Sequence, residues 1–369
     1  MTNADLRIDE DYDYLKTFFP DGWQEKAKEL GALRRCRKIP NADILLRVLL
    51  IHLAEGCSLR ETAARARQGK LVELSDVAIM DRLRVSGEWF RWMNTELVKT
   101  WIKHQPETIY GSCWNIRLID GTRISEPGPT GSVFCLYYSI GLPTLLCDEM
   151  HLLDKSGSGE TFKRFTVNPG DLFIGDRAYG VFPGISHVVK GGGDVLTRFG
   201  WRQLVLRGEN LRPFDLFKNL RRLKGNEIGE WPVVLGDGDK MIRGRVCAIK
   251  KSRQIAEKAI KAALAKSKKH DADIMPETLE AAKYIMVFTT VESRVLSPSK
   301  VLEMYRGRWQ IEIIFKRLKS IMALGHLRKA DQTSSESWIH GKLFVALLVE
   351  ALIQKGESFF PWGYPICKT

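Results

Sequence analysis

The sequence predicts an α/β protein: a mixed core of strands and helices, interrupted by a β-rich insertion and preceded by an α-helical amino-terminal region. Three observations predict it. Apolar residues recur with helical spacing through the first hundred residues, then gather from about residue 113 into short runs separated by Gly and Pro. A turn-rich, strongly basic stretch then parts those runs from a last amphipathic segment. At 369 residues the chain has room for more than one unit, and the expected division is 1–108 (helical), 109–200 (first part of the core), 201–290 (insertion) and 291–369 (second part of the core).

In the first region NADILLRVLLIHLAEG, residues 41–56, is apolar on one helical face and stops at Gly56. Ser58 with Glu61 forms a capping box that opens SLRETAARARQ, and Ser75 opens SDVAIMDRLRVSGEWFRWM. Two short Arg-rich capped segments joined by a turn fit a helix-turn-helix DNA reader. A plain helical bundle with a basic surface fits them equally.

The core begins with CWNIRLIDGTRIS, VFCLYYSIG and TLLCDEMHLLD, which read as a strand meander, and continues with the short run DLFIGDRAYG, a helix near VFPGISHVVKG and the strand DVLTRFGW. Strands RQLVLRG, EWPVVLGDGD and MIRGRVCAIKK make the insertion β-rich. The Lys-rich helix QIAEKAIKAALAKSKKH follows, expected to bind DNA without sequence preference, and a polar linker leads into YIMVFTTV. The segment YRGRWQIEIIFKRLKS, residues 305–320, reads as one helix. At about 100° per residue, Tyr305, Arg308, Glu312 and Lys319 fall within an arc of about 60°, while Trp309, Ile313 and Phe315 read as core.

With 57 Lys plus Arg against 44 Asp plus Glu, the formal net charge of +13 favours a polyanionic partner, nucleic acid first. The apolar runs LLRVLLIHLA and LFVALLVEALI fall short of the roughly 20 residues a membrane span needs. The acidic opening MTNADLRIDEDYDY lacks the basic-then-apolar order of a signal peptide, so the expected location is the cytoplasm. The seven cysteines include no C-x-x-C and the seven histidines no H-x-x-x-H, which leaves oxygen ligands for any metal.

Asp120 and Asp176 each close an apolar run, and Glu312 stands among the cations of the 305–320 segment. Three carboxylates so placed could hold two divalent ions about 3.5–4 Å apart, a phosphoryl-transfer site. Taken singly, Asp-Gly and Gly-Asp-Arg are also ordinary turn chemistry. Their joint occurrence with the Tyr, Arg, Glu and Lys row favours the site.

These residues resemble the DDE transposases of bacterial insertion sequences, specifically the insertion sequence 4 family, whose signature Tyr-x2-Arg-x3-Glu-x6-Lys is met by Tyr305, Arg308, Glu312 and Lys319. LIDGT around Asp120 and GDRAYG around Asp176 resemble its first two acids. The resemblance implies a ribonuclease-H-like catalytic core interrupted by a β-rich insertion, with a DNA-binding amino-terminal domain. It further implies binding of terminal inverted repeats, and strand cleavage and transfer dependent on Mg²⁺, with Mn²⁺ as the alternative, at a two-metal site. The implied assembly is a homodimer in a paired-end complex, located with the bacterial nucleoid, acting by cut and paste through hairpin ends.

Tyr284, 21 residues before Tyr305, stands where a family aromatic stacks on a flipped base, with a core strand residue as the other reading. Arg198, in DVLTRFGW, resembles an Arg that approaches DNA near the site in relatives, and Arg177, beside Asp176, reads either as a phosphate contact or as the partner of an acid. The ending FFPWGYPICKT, where that family continues, is expected of a frameshifted or truncated copy and expected to affect dimer contacts before the acids. Two other functions stay open: a non-catalytic or decayed transposase-derived DNA-binding protein, and a nuclease that never transfers strands.

Overall fold

The computed structural model describes residues 11–34, 38–102, 114–125, 133–154, 159–236, 238–269, 273–325, 327 and 331–357. The first ten residues of the acidic amino terminus and the tail FFPWGYPICKT lie outside the described residues.

Among the described residues a short helical stretch at 11–16 is followed by α1 (Trp23–Glu29), α2 (Ala42–Ala54), α3 (Leu59–Gln68), α4 (Asp76–Val85) and α5 (Gly87–Ile102). Side chains start three of them. Asn41 accepts from the Ile44 amide (2.9 Å), Ser58 from Glu61 (3.2 Å) and Ser75 from Ala78 (3.2 Å), each satisfying an amide the helix cannot pair. The segment after Ser75 does not stay one helix. It breaks at the buried Ser86, and the next residue is Gly because a Cβ there would sit 2.6 Å from the Ser337 hydroxyl of the last helix, α12 (Gln332–Glu357). That 26-residue helix packs over α2, α4 and α5 through Trp338, Ile339, Leu343, Phe344 and Leu347.

The strands are β1 (Asn115–Ser125), β2 (Val133–Gly141), β3 (Cys147–Asp154), β4 (Asp171–Gly175), β5 (Asp194–Arg198), β6 (Leu206–Arg207), β7 (Ile228–Leu235), β8 (Ile242–Lys250) and β9 (Tyr284–Thr289). They form one nine-stranded mixed sheet in the order β3-β2-β1-β4-β5-β9-β8-β7-β6. β1, β4 and β5 run parallel and the other pairings are antiparallel. Strands from the 201–290 stretch therefore continue the same sheet, with β9 seated directly on β5. Helix α6 (Phe182–Lys190) makes the crossover from β4 to β5.

Both faces of the sheet are covered, which is why β2 reads as a nearly unbroken apolar run. Alternate residues divide between the faces: Phe134, Leu136 and Tyr138 join the core shared with the amino-terminal helices and α12, while Cys135 and Tyr137 join a second core with Phe162, Phe173 and Ile185 of α6. Around Arg117, buried in β1, one guanidinium serves three carboxylates. Its guanidinium meets Asp148 (3.1 Å), Glu149 (2.7 Å) and Asp171 (3.3 Å) and donates to the Thr166 carbonyl (2.6 Å).

The remaining helices are α7 (Leu216–Leu220), α8 (Arg253–Lys269), α9 (Pro276–Ala281), α10 (Pro298–Arg306) and α11 (Trp309–Ser320). The expected single helix over 305–320 is thus two. Amides of Gly307, Arg308, Gln310 and Ile311 bond carbonyls three residues back instead of four, a tight turn that places Tyr305 on α10 and Glu312 and Lys319 on α11. Phe315 enters the core as expected, whereas Trp309 is 51% exposed because the turn swings it outward. Among the described residues no helix is long and apolar enough to cross a membrane.

Candidate active site

The parallel ladder between β1 and β4 ends with Ile119 opposite Gly175. One residue further along each strand stand Asp120 and Asp176, so adjoining parallel strands about 4.8 Å apart deliver two carboxylates to one edge. Asp120 is not in a turn. β1 runs on past it, paired only with β2, and Gly121 follows because a Cβ there would lie 3.1 Å from the Tyr137 ring. At Asp176 the chain leaves the sheet. Its Oδ1 accepts from the Ala178 amide (2.7 Å) and caps a 3-10 turn, Arg177–Tyr179, while its carbonyl accepts from the Thr197 hydroxyl of β5 (2.9 Å).

The charge of Asp176 reaches Asp120. Burial, reinforced by the negative charge of Asp176, pushes the Asp120 carboxyl up to about 7, against the pull of the Gly121 amide and Arg308. Glu160, which the sequence reading passed over, joins them. Burial and then Asp176 raise its carboxyl, and its Oε1 lies 3.3 Å from where a Cβ of Gly121 would be. Beneath the three, the fully buried Tyr179 hydroxyl has no hydrogen-bond partner among the described residues, and after burial the charges of Asp120, Glu160 and Asp176 are what raise its pKa.

Arg308 ties the last acid to this edge. From the tight turn its Nη1 donates to Asp120 Oδ2 (3.2 Å) and its Nη2 to Glu312 Oε1, and its guanidinium lies 5.9 Å from the centre of the Tyr305 ring. Tyr305, raised by burial, is drawn back down by Arg308 and by Arg198 at the end of β5. Lys319, lower on α11, is half-buried; burial lowers its pKa, and it has no ion-pair partner among the described residues. Arg177 is exposed and lays its guanidinium over Gly200, where a Cβ would come within 2.6 Å of Nη2.

Tyr284 stands apart, 5% exposed in the second core, where burial and then Glu280 raise its hydroxyl. The structure thus brings Asp120, Asp176, Arg308, Glu312, Tyr305 and Arg198 to one place and leaves Tyr284 packed within the sheet.

Among the described residues no three His, Cys, Asp or Glu side chains are gathered closely enough to hold a metal ion, because Glu312 is turned to Arg308 and its side chain is 56% exposed. In kind the donors suit a hard divalent cation. Two coupled carboxylates repel each other at one edge, and a buried hydroxyl beneath them lacks a partner.

The chain matches the family described as transposase DDE domain over residues 151–348, a span that holds Asp176, Tyr305, Arg308, Glu312 and Lys319 and begins after Asp120. It is 32% identical over 349 residues to a putative transposase, InsL, for insertion sequence element IS186A of Escherichia coli (strain K12), covering 93% of each chain. To the transposase for insertion sequence element IS421 of Escherichia coli it is 32% identical over 350 residues, again 93% of each. The transposase for insertion sequence element IS231F of Bacillus thuringiensis subsp. israelensis is 26% identical over 208 residues, 52% of this chain and 43% of that one.

Proposed function

The chain belongs to the DDE-domain transposases, and on that premise we propose that it binds the terminal inverted repeats of an insertion sequence and catalyses DNA strand cleavage and strand transfer. The single observation carrying this reading is the pair Asp120 and Asp176 on one edge of parallel strands, bridged through Arg308 to Glu312. The order β3-β2-β1-β4-β5, with β1, β4 and β5 parallel, supports a ribonuclease-H-like core, with 201–290 as its β-rich insertion and the amino-terminal helices as its DNA-binding part.

In this proposal Asp120, Asp176 and Glu312 hold Mg²⁺, or Mn²⁺ in its place, at a two-metal site. When bound, the cations supply the positive charge that activates an attacking hydroxyl and steadies the leaving oxygen. Near neutral pH Asp120 is shared between its protonated and ionised forms, which relieves part of its repulsion with Asp176. Arg308 pairs with both Asp120 and Glu312 in the free protein and supplies a cation beside the reacting phosphate. Lys319, Arg198 and Arg177 hold neighbouring phosphates, and Tyr305 lines the same approach. We assign Tyr284 to the core, since its ring is packed away from the surface. Cut-and-paste transposition in the bacterial cytoplasm by a homodimer, through hairpin ends, completes the proposal.

A second reading, DNA binding without catalysis, draws on the same Arg308, because Glu312 is turned to it and away from the other acids. One experiment separates the two. The purified chain is incubated with a fragment carrying its own element's terminal repeats, with and without Mg²⁺, beside Glu312→Gln. Metal-dependent cutting at the repeat ends that is lost in the variant is the expected result. Binding without cutting by the intact chain would establish the second reading, and cutting by Glu312→Gln would remove Glu312 from the site.

A further inference from the structure

Helix α8, Arg253–Lys269, has no buried residue, yet its surroundings divide its circumference. Ala256, Ala259, Ile260, Ala263 and Ser267 are half-buried and, at 100° per residue, occupy an arc of about 100°. Lys258, Lys261, Lys268 and Lys269 are exposed and fill an arc of about the same width on the opposite side. None of these four pairs with a carboxylate among the described residues. The helix's acid, Glu257, is taken by Arg253 at 2.9 Å. A solvated helix surface ordinarily mixes charges of both signs for weak i,i+4 pairing; this one presents a single sign.

Topology places the root of that helix. β8 runs antiparallel to β9, with Lys250 opposite Tyr284, and β9 antiparallel to β5, with Val287 opposite Arg198. The end of β8 therefore lies on the same sheet edge as Arg198 and Asp176. Lys251, the first residue beyond β8, is fastened there by donating to the Ala282 carbonyl (2.7 Å), and after burial it is the charge of Arg198 that lowers its pKa. From this root α8 extends about 25 Å, the length of about seven base pairs at 3.4 Å each.

We infer that α8 is a phosphate-tracking arm that grips duplex DNA on one side of the cleavage point, through its lysine face and without reading sequence. The inference rests on the DNA-acting reading of the site and adds a surface outside it. DNA is the occupant the surface favours, because a regular row of phosphates complements a one-signed face rooted beside the carboxylates.

The test compares the full-length protein with Lys258→Gln/Lys261→Gln/Lys268→Gln/Lys269→Gln for binding to a random duplex and to the element's own terminal repeat across a salt series. Each lost phosphate contact removes about 0.9 from the slope of log affinity against log salt. The slope should flatten by about 2 to 4, affinity at 0.1 M salt should fall at least about tenfold on both duplexes, and the melting temperature should not move. Lys261→Cys, disulfide-tethered to duplexes carrying a thiol on single backbone phosphates, should capture phosphates on one side of the cut only.

An unchanged slope in a variant of a protein that binds and cuts its ends overturns the arm and leaves the transposase reading standing. No binding of either duplex by the intact protein overturns both. Tethering equally to both sides overturns the one-sided grip. Lysine-dependent retention on phosphatidylserine vesicles with unchanged duplex affinity overturns DNA as the occupant in favour of a membrane surface.

Discussion

Replacing Asp120 by Asn should make the metal-free protein more stable, and the gain should depend on pH. In the unfolded chain the carboxyl loses its proton near pH 4, and in the folded protein burial and Asp176 delay that loss to about 7. Between those values the folded state holds the extra proton, so the wild-type protein loses stability as pH rises through the window, and above pH 7 the whole penalty is present. Three pH steps correspond to about 4 kcal/mol, and the side chain is only 14% exposed, so solvent does little to soften it. Asn keeps the shape and can still accept from Arg308 while forgoing the charge. The buried amide of Asn sets a constant offset, and on top of it the advantage of Asp120→Asn should grow by about 2.5 kcal/mol from pH 5 to pH 8 and level off beyond. Denaturation midpoints in chelator at several pH values measure it. Added Mg²⁺ at pH 8 should narrow the gap by stabilising wild type alone. Parallel pH profiles for the two proteins would show that Asp120 is not a destabilised carboxylate.

Other outcomes follow from the same geometry. Asp176→Asn should abolish cleavage of terminal-repeat DNA with binding retained in gel-shift assays. Arg308→Ala should weaken both end binding and cleavage, read from single-turnover kinetics; unchanged kinetics would leave Arg308 as a mere counter-ion for Glu312. Arg117→Met, which strands three carboxylates around a site 4% exposed to solvent, should cost about 3–5 kcal/mol and show as loss of soluble, cooperatively melting protein. Tyr284→Phe should leave stability and DNA cleavage near wild type whereas Tyr284→Ala should lose about 3 kcal/mol or more, and a selective loss of hairpin product in a stably folded Tyr284→Phe would return the residue to the DNA.

Much of the site can be read in one dimension, because its residues sit in short local patterns. Ser58 and Ser75 cap helices where first-turn amides need acceptors, Gly-Asp at 175–176 closes a strand, and Tyr305, Arg308 and Glu312 are near neighbours in sequence. The same local reasoning failed where geometry is decided elsewhere. The 305–320 segment breaks at Gly307, and Trp309 turns out to solvent. Glu160, in the polar stretch GETFKRF, shows no periodicity and no motif, so only the fold brings it against Gly121. Tyr179, within GDRAYG, carries no signal in sequence, since burial of its hydroxyl beneath three acids is a property of the sheet. For Arg117 the only signal was a charge inside a strand, and its three carboxylates are 31, 32 and 54 residues away.

By itself, then, the sequence determined the alternation of helical and strand segments, the basic balance that calls for a polyanion, and that Glu312 stands among cations. Those follow from local propensity and composition, which each residue carries with it. Only the tertiary structure decided that Asp120 and Asp176 stand where the ladder between neighbouring parallel strands ends, that Arg308 spans Asp120 and Glu312, that the strands after residue 201 extend the same sheet, and that α8 is rooted on the edge bearing the acids. Register and sheet order are set by burying two faces at once, a condition on residues far apart in the chain that no single segment records.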